Sequence, residues 1–174
     1  NMVLQGTEGT KILWPEDSIP LSRTVCGVTR FISSASSDFD FGDKIGDVLT
    51  GFDSVEDSDE YYFGFSEDAR GVVVAGSART EMQSVGVLDE WLVMCETSGV
   101  FAPGNVCIDQ EEVGTTGDSN QLYSTKQLNV NSKPDKASTF QLHSLYIWNQ
   151  ELSSSRMKQI TASLRAQIGG IPDF

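Results

Sequence analysis

The sequence predicts an all-β domain, an antiparallel sandwich or barrel, closed by one amphipathic helix at its C-terminal end. Three observations carry this. Short β-branched and aromatic runs recur along the chain, separated by polar or glycine-bearing stretches, which is how strands and turns alternate in all-β domains. No internal repeat and no low-complexity linker divides the 174 residues, a length that suits one domain over 1–174. Only the C-terminal segment changes its apolar period, from two to the spacing of a helix.

Taken in order, the strand candidates are KILW from Lys11, RTVCGVTRFI from Arg23, IGDVLTGF from Ile45, EYYFGF from Glu60 and GVVVAGS from Gly71. EWLVMCE from Glu90, NVCIDQEEV from Asn105, QLYSTKQLNV from Gln121 and FQLHSLYIW from Phe140 follow. Most are too short for helices. Between them stand turn signals rich in Ser, Asp, Asn, Gly and Pro: SSASSD, FDSVEDSD, SEDARG, APGN, TTGDSN and NSKPDK. After Leu152, the side chains Met157, Ile160, Leu164 and Ile168 form one apolar stripe and predict a helix over 154–168. Ser153 is placed to cap its first turn. Gly169 and Gly170 offer a left-handed terminator, and Pro172 prevents resumption. Arg156 opposes the helix dipole in the first turn, a penalty of about 0.5 kcal/mol that packing one face on a sheet overcomes.

Composition narrows the function classes. Hydrophobic residues make up 39% and charged residues 21%, as in an ordinary globular protein. The formal net charge of −13 disfavours nucleic acid and anionic membranes, and suits cations, neutral sugars or basic partners. No apolar run reaches the ~20 residues of a membrane helix, so membrane insertion is not expected. The N-terminal NMVLQGTEGT lacks the basic start and apolar stretch of a signal peptide. The chain does not begin with Met, as expected of a processed protein or an excised domain. The cysteines Cys26, Cys95 and Cys107 form no C-x-x-C pair, and His143 is the one histidine, which excludes the usual zinc sites.

A strand ending in IWN, then x-x-L-S, then a short amphipathic helix resembles the end of a laminin G-like or pentraxin-like domain of the concanavalin A-like lectin/glucanase superfamily. RTVCGVTRF resembles the central strand in which pentraxins carry F-T-V-C. DEWLVMCET resembles the strand written W-H-x-V-x-V-T, where pentraxins again place a cysteine. NVCIDQEEVG resembles the hairpin strand x-L-Y-V-D-G-x-x-V-G. The resemblance runs from Lys11 to Gln167. TVCGVTRF preceded by WPEDSIP is also similar to lectin-like domains of marine algae. The resemblance implies a two-sheet antiparallel jellyroll β-sandwich whose single C-terminal helix covers apolar surface at the sandwich edge. It also implies a Cys26–Cys95 disulfide, an extracellular or otherwise oxidising compartment, and a buried free thiol at Cys107. The rival pairing is Cys95 with Cys107.

Each kind of chemistry can be weighed on named residues. Glucanases of this superfamily place acids at alternate positions of one strand. Here Glu56 and Glu60 have Ser58 between them and precede the apolar run, which marks an acidic loop entering a strand. His143 sits mid-strand with no nucleophile elbow. Calcium needs oxygen-rich loops. Asp59 falls near a position where pentraxins have Asp-Asn, but its neighbour is Ser58. The later loop offers Asn129, Asn131 and Asp135 beside Lys133 and Lys136. Two cations in that loop oppose a dication, so the pentraxin two-calcium site is not expected. Asp59, Asn131 and Asp135 are left as weak candidates for one calcium ion.

Sugars are held against aromatic faces, and the aromatics on offer are Trp14, Tyr61, Tyr62, Phe63, Phe65, Tyr123 and Trp148. Tyr61 and Phe63 share one face of their strand and Tyr62 the other, so one set must be core. The candidate ligand contacts are Tyr61, Tyr62, Phe63, Phe65 and Asp59. The algal pattern reads H-G-H where this chain reads Phe63-Gly64-Phe65, which puts an inherited specificity in doubt. Trp91 and Trp148 are expected to pack in the sandwich or against the helix. Arg30, in an apolar run, must reach the rim or pair with an acid.

The expected function is non-enzymatic recognition, a lectin-like or adhesion module that binds a glycan or another protein. Its modest affinity per site would be raised by a multidomain or oligomeric assembly. The alternative is a structural subunit of a larger assembly with no small ligand. A degenerate glycoside hydrolase comes third.

Overall fold

Runs whose apolar residues alternate fold as strands because each strand then buries one face. The structure, a computed structural model, describes residues 3–7, 9–32, 49–52, 61–66, 69–75, 78–80, 90–100, 104–115, 125, 127–130 and 139–169. Its strands are β1 (Leu4–Gly6), β2 (Ile12–Leu13), β3 (Thr24–Phe31), β4 (Leu49–Phe52), β5 (Tyr61–Ser66) and β6 (Ala69–Ala75). They continue with β7 (Ala78–Arg79), β8 (Leu92–Thr97), β9 (Val106–Ile108), β10 (Glu111–Glu112), β11 (Gln127–Val130) and β12 (Phe140–Trp148), before the helix α1 (Ser154–Ile168).

The strands form two six-stranded sheets, ordered β1-β12-β3-β8-β9-β10 and β2-β11-β4-β5-β6-β7. Every pairing is antiparallel. The fold is thus an all-β, two-sheet antiparallel jellyroll sandwich with one short C-terminal helix. The run from Asn105 is a hairpin rather than one strand, because Asp109 and Gln110 turn the chain at φ 46° and 78°.

The core between the sheets is built from one face of each strand. Val25 of β3, Leu92 and Met94 of β8, and Val106 and Ile108 of β9 meet Tyr61, Phe63 and Phe65 of β5, Val73 of β6, and Leu128 and Val130 of β11. A bulge tunes the second sheet. The β5–β6 register passes from Gly64↔Val72 to Phe65↔Arg70, leaving Gly71 as the extra residue at φ +84°. A Cβ there would lie 2.3 Å from Ile108 Cδ1, so the bulge needs glycine on two counts.

The opposite face of the first sheet is also apolar over β3, β8 and β9, and α1 covers it. Cys26, Val28, Val93, Cys95 and Cys107 pack there with Met157, Leu164 and Ile168. The helix therefore lies on the outer face of the sheet rather than at the sandwich edge. Ser153 caps it as the sequence predicts, its hydroxyl accepting from Arg156 N at 3.4 Å. Arg156 turns its guanidinium to Gln159 Oε1 at 3.0 Å. Gly169 does not supply a left-handed terminator: its φ of −61° is right-handed helical.

Candidate functional site

The strand that carries most of the predicted ligand contacts faces inward. Tyr61, Phe63 and Phe65 are each 1% exposed and belong to the core between the sheets. Period-2 alternation puts all three on one face of β5, and that face is the one the facing sheet needs. These three side chains are therefore unavailable to a ligand, a correction to their assignment as contacts. Tyr62 takes the alternate position, paired in register with Thr50 and Val74. Asp59, Asn131 and Asp135, with Glu56, Glu60 and Tyr123, lie outside the described residues. Asn129 is a buried strand residue whose amide donates to Gln127 O at 2.9 Å. Among the described residues no three His, Cys, Asp or Glu side chains converge on one point.

The buried charge pair is one the sequence reading missed. Arg23 and Glu96 are both fully buried, with Arg23 Nη2 donating to Glu96 Oε1 at 2.9 Å. Arg23 Nη1 also donates to Leu21 O at 3.3 Å, and its guanidinium lies 5.1 Å from the centre of the Tyr61 ring. The Tyr61 hydroxyl donates to Glu96 Oε2 at 3.4 Å. Burial first, and then the Glu96 charge, push the Tyr61 phenol well above its ordinary pKa, so it stays a donor. This buried group ties the residue entering β3 to β5 and β8. Arg30, by contrast, lies over the face of Trp91, 6.0 Å from the ring centre.

His143 sits where the β12–β3 register shifts, between Leu142 and Ser144. It is half-buried, meets Trp91 edge-on at 6.3 Å between ring centres, and has Nδ1 3.2 Å from Ser144 Oγ. That fits the expected strand histidine. Trp91 is buried on the helix side and Trp148 packs against the same cluster, both as expected. Trp14 packs against the core.

The solvent-facing aromatic is one the sequence reading did not single out. Tyr146 of β12 is 42% exposed and stacks on Trp148, with ring centres 5.8 Å apart and planes 20° apart. Both rings stand on the helix-side face of the first sheet, because Tyr146 pairs with Cys26 and Trp148 with Thr24 while Leu145 and Ile147 face the core. The exposed Asn149 and Gln150 follow directly. The result is a flat two-ring surface with polar groups at one end. Its signal in the sequence is the spacing of Tyr146 and Trp148, two apart in one strand.

The Cys26–Cys95 disulfide is present, and Cys107 is a buried free thiol. Among the described residues no helix is long and apolar enough to cross a membrane. Together these fit an oxidising compartment.

No protein-family model and no curated protein sequence matches the chain significantly. Solved structures do. Domain 4 of AbnA, an extracellular GH43 arabinanase from Geobacillus stearothermophilus solved with arabinotriose, superposes with a TM-score of 0.59 at 11% identity, covering 92% of this chain and 82% of that one. A SAP-like pentraxin from Limulus polyphemus gives 0.56 at 12% identity, covering 91% and 81%. A Trypanosoma rangeli sialidase in complex with sialic acid gives 0.58 at 12% identity, covering 97% of this chain but 28% of the sialidase. At such identities the likeness establishes the fold alone. These neighbours are β-sandwich jellyroll domains, the fold described above.

Proposed function

We propose that residues 1–174 form a single laminin G-like or pentraxin-like recognition domain, without catalytic activity, that binds carbohydrate on the outer face of β12. The Tyr146–Trp148 stack carries this reading. The apolar C–H face of a sugar ring packs on such a surface, and flanking polar groups fix its orientation. The sealed position of Glu96 and the ion pair of Glu112 with Lys158 at 2.9 Å support a binding role over acid–base catalysis. The arabinotriose complex of the arabinanase domain is a property of that protein, and it lends the same direction. An extracellular or otherwise oxidising setting goes with the disulfide.

Exposed Leu13 on the edge strand β2, at 63%, favours a second reading in which a partner protein of a larger assembly covers that edge. A glycan array probed with the purified protein tests the first. Binding is expected, is lost in Tyr146→Ala, and is lost without a change in melting temperature. Binding that survives both Tyr146→Ala and Trp148→Ala overturns the assigned surface. Hydrolysis of an arrayed glycan overturns the non-enzymatic reading.

A further inference from the structure

The three cysteines of this chain stand in one row across three neighbouring strands. Cys26 of β3 is the register partner of Cys95 of β8, and Cys95 is the partner of Cys107 of β9. All three are fully buried on the helix-side face, beneath α1. Cys26 and Cys95 are bonded, and Cys107 is free. Directly opposed residues of an antiparallel pair have Cβ atoms about 4.5–5.5 Å apart. The Cys107 sulfur is therefore held beside Cys95 on the side away from Cys26. Displacement at sulfur runs in line, the attacking sulfur entering opposite the leaving one, and the strand order sets Cys107 on the far side of Cys95 from Cys26.

We propose that the row is a thiol–disulfide exchange device, in which Cys107 displaces Cys26 from Cys95 when α1 lifts from the sheet. The Cys107 thiol gives its proton to solvent, and its electron pair forms the new bond to Cys95. The Cys26–Cys95 bond breaks with its pair on Cys26, which takes up a proton. One disulfide remains throughout, so neither oxidant nor reductant is consumed. The bridge moves from β3–β8 to β8–β9 and frees a thiol on the central strand β3.

The helix is the gate. Met157, Thr161, Leu164 and Ile168 are its buried residues, and Thr161 Oγ1 lies 3.7 Å from Cys107 Sγ. Burial holds the Cys107 thiol above its ordinary pKa, while Lys158 of α1 and Glu112 of β10 act on it in opposite directions. A protonated, covered thiol does not attack. Among the described contacts, α1 is tied to the sheet by Lys158 and Ser154 on Glu112, by Arg165 on Asp109 and on Trp91 O, and by Thr161 beside Cys107. A C-terminal helix held this way opens more readily than the sandwich unfolds.

The test uses the oxidised protein at mildly alkaline pH with no added thiol, in buffer and in sub-denaturing urea. Samples are quenched in acid, alkylated, cut after Glu96 without reduction, and mapped. A linked Cys95–Cys107 peptide with alkylated Cys26 is expected in urea, at a rate independent of protein concentration. Leu164→Ala should speed the same reaction several-fold without urea, and Cys107→Ser should leave Cys26 unalkylated. Should Leu164→Ala fail to fold, the urea series on the unaltered chain decides. Two results overturn the proposal: Cys107 alkylated in urea while the Cys26–Cys95 peptide stays intact, or Cys26 alkylated as fast in Cys107→Ser as in the parent protein.

Discussion

Replacing Glu96 by Ala strikes the one fully buried ion pair among the described residues, and the size of the loss can be worked out. The substitution removes the acceptor of Arg23 Nη2 at 2.9 Å and of the Tyr61 hydroxyl at 3.4 Å. Taking one partner from a buried pair costs about 3–5 kcal/mol, because the remaining charge loses its compensation. Arg23 keeps the Leu21 carbonyl and the Tyr61 ring face, which favours the lower end, about 3 kcal/mol. A domain of this size has only about 5–15 kcal/mol in hand. At about 2–4 °C per kcal/mol for 150–250 residues, the midpoint should fall by about 6–12 °C. The informative control is the double replacement Arg23→Met with Glu96→Leu, which removes both charges and keeps volume. Such exchanges are often neutral or stabilising, so the double variant should be more stable than Glu96→Ala alone. Urea denaturation followed by tryptophan fluorescence reads both. A loss in Glu96→Ala below about 1 kcal/mol, the size of an exposed pair, would refute the sealed-pair reasoning.

Two pH effects and one redox effect follow from other contacts. Tyr61 has its folded pKa raised, so its contribution is complete below the unfolded phenol value and is lost as pH rises beyond it; the alkaline fall in the urea midpoint should flatten in Tyr61→Phe. Glu112 is held below its ordinary pKa, first by the Ser154 hydroxyl and then by Lys158, so its tie to α1 is present above the unfolded carboxyl value and lost as pH falls through the folded one. The protection of α1 against hydrogen exchange, taken relative to the intrinsic amide rate at each pH, should therefore fall in acid, and Glu112→Gln should remove that dependence. Reducing Cys26–Cys95, which closes a separation of 69, should lower stability by about 4 kcal/mol in the chain-entropy account, read as a lower urea midpoint in dithiothreitol.

The helix and β12 were legible because the apolar period changes at Leu152, and period survives whatever the fold does with the element. Tyr61, Phe63 and Phe65 show where that signal ends. Alternation groups side chains by face, but which face meets the other sheet depends on the partner strands, and β5 lies beside β4 and β6 in the second sheet. Arg23 and Glu96 were within reach of the same rule. Glu96 shares parity with the core residues Leu92 and Met94, and Arg23 with Val25, so two opposite charges fall on the core face of adjacent strands. The three-residue β1 and two-residue β7 carry too few positions to show any period. The cysteine pairing came from resemblance, and the register of β3, β8 and β9, which sets Cys95 opposite both Cys26 and Cys107, shows why both pairings were open.

The path of the chain after β12 explains why one part of the outer face stays open. The connection is pinned: Thr24 Oγ1 donates to Gln150 O at 2.9 Å and accepts from Leu152 N at 2.9 Å. Thr24 pairs with Trp148 on one side and Thr97 on the other, and the Thr24 and Thr97 hydroxyls are 2.8 Å apart. Held there, the chain starts α1 at Ser154 and directs it over β8 and β9, where the cysteine row and Val93 need cover. A helix so directed leaves β12 behind it. Tyr146 is therefore exposed because the helix leads away from its strand, and Trp148 supports it from the edge of the covered cluster. Lengthening the connection between Trp148 and Ser153 should let the helix drift and uncouple two properties that the present path joins, a sealed cysteine row and an open aromatic surface.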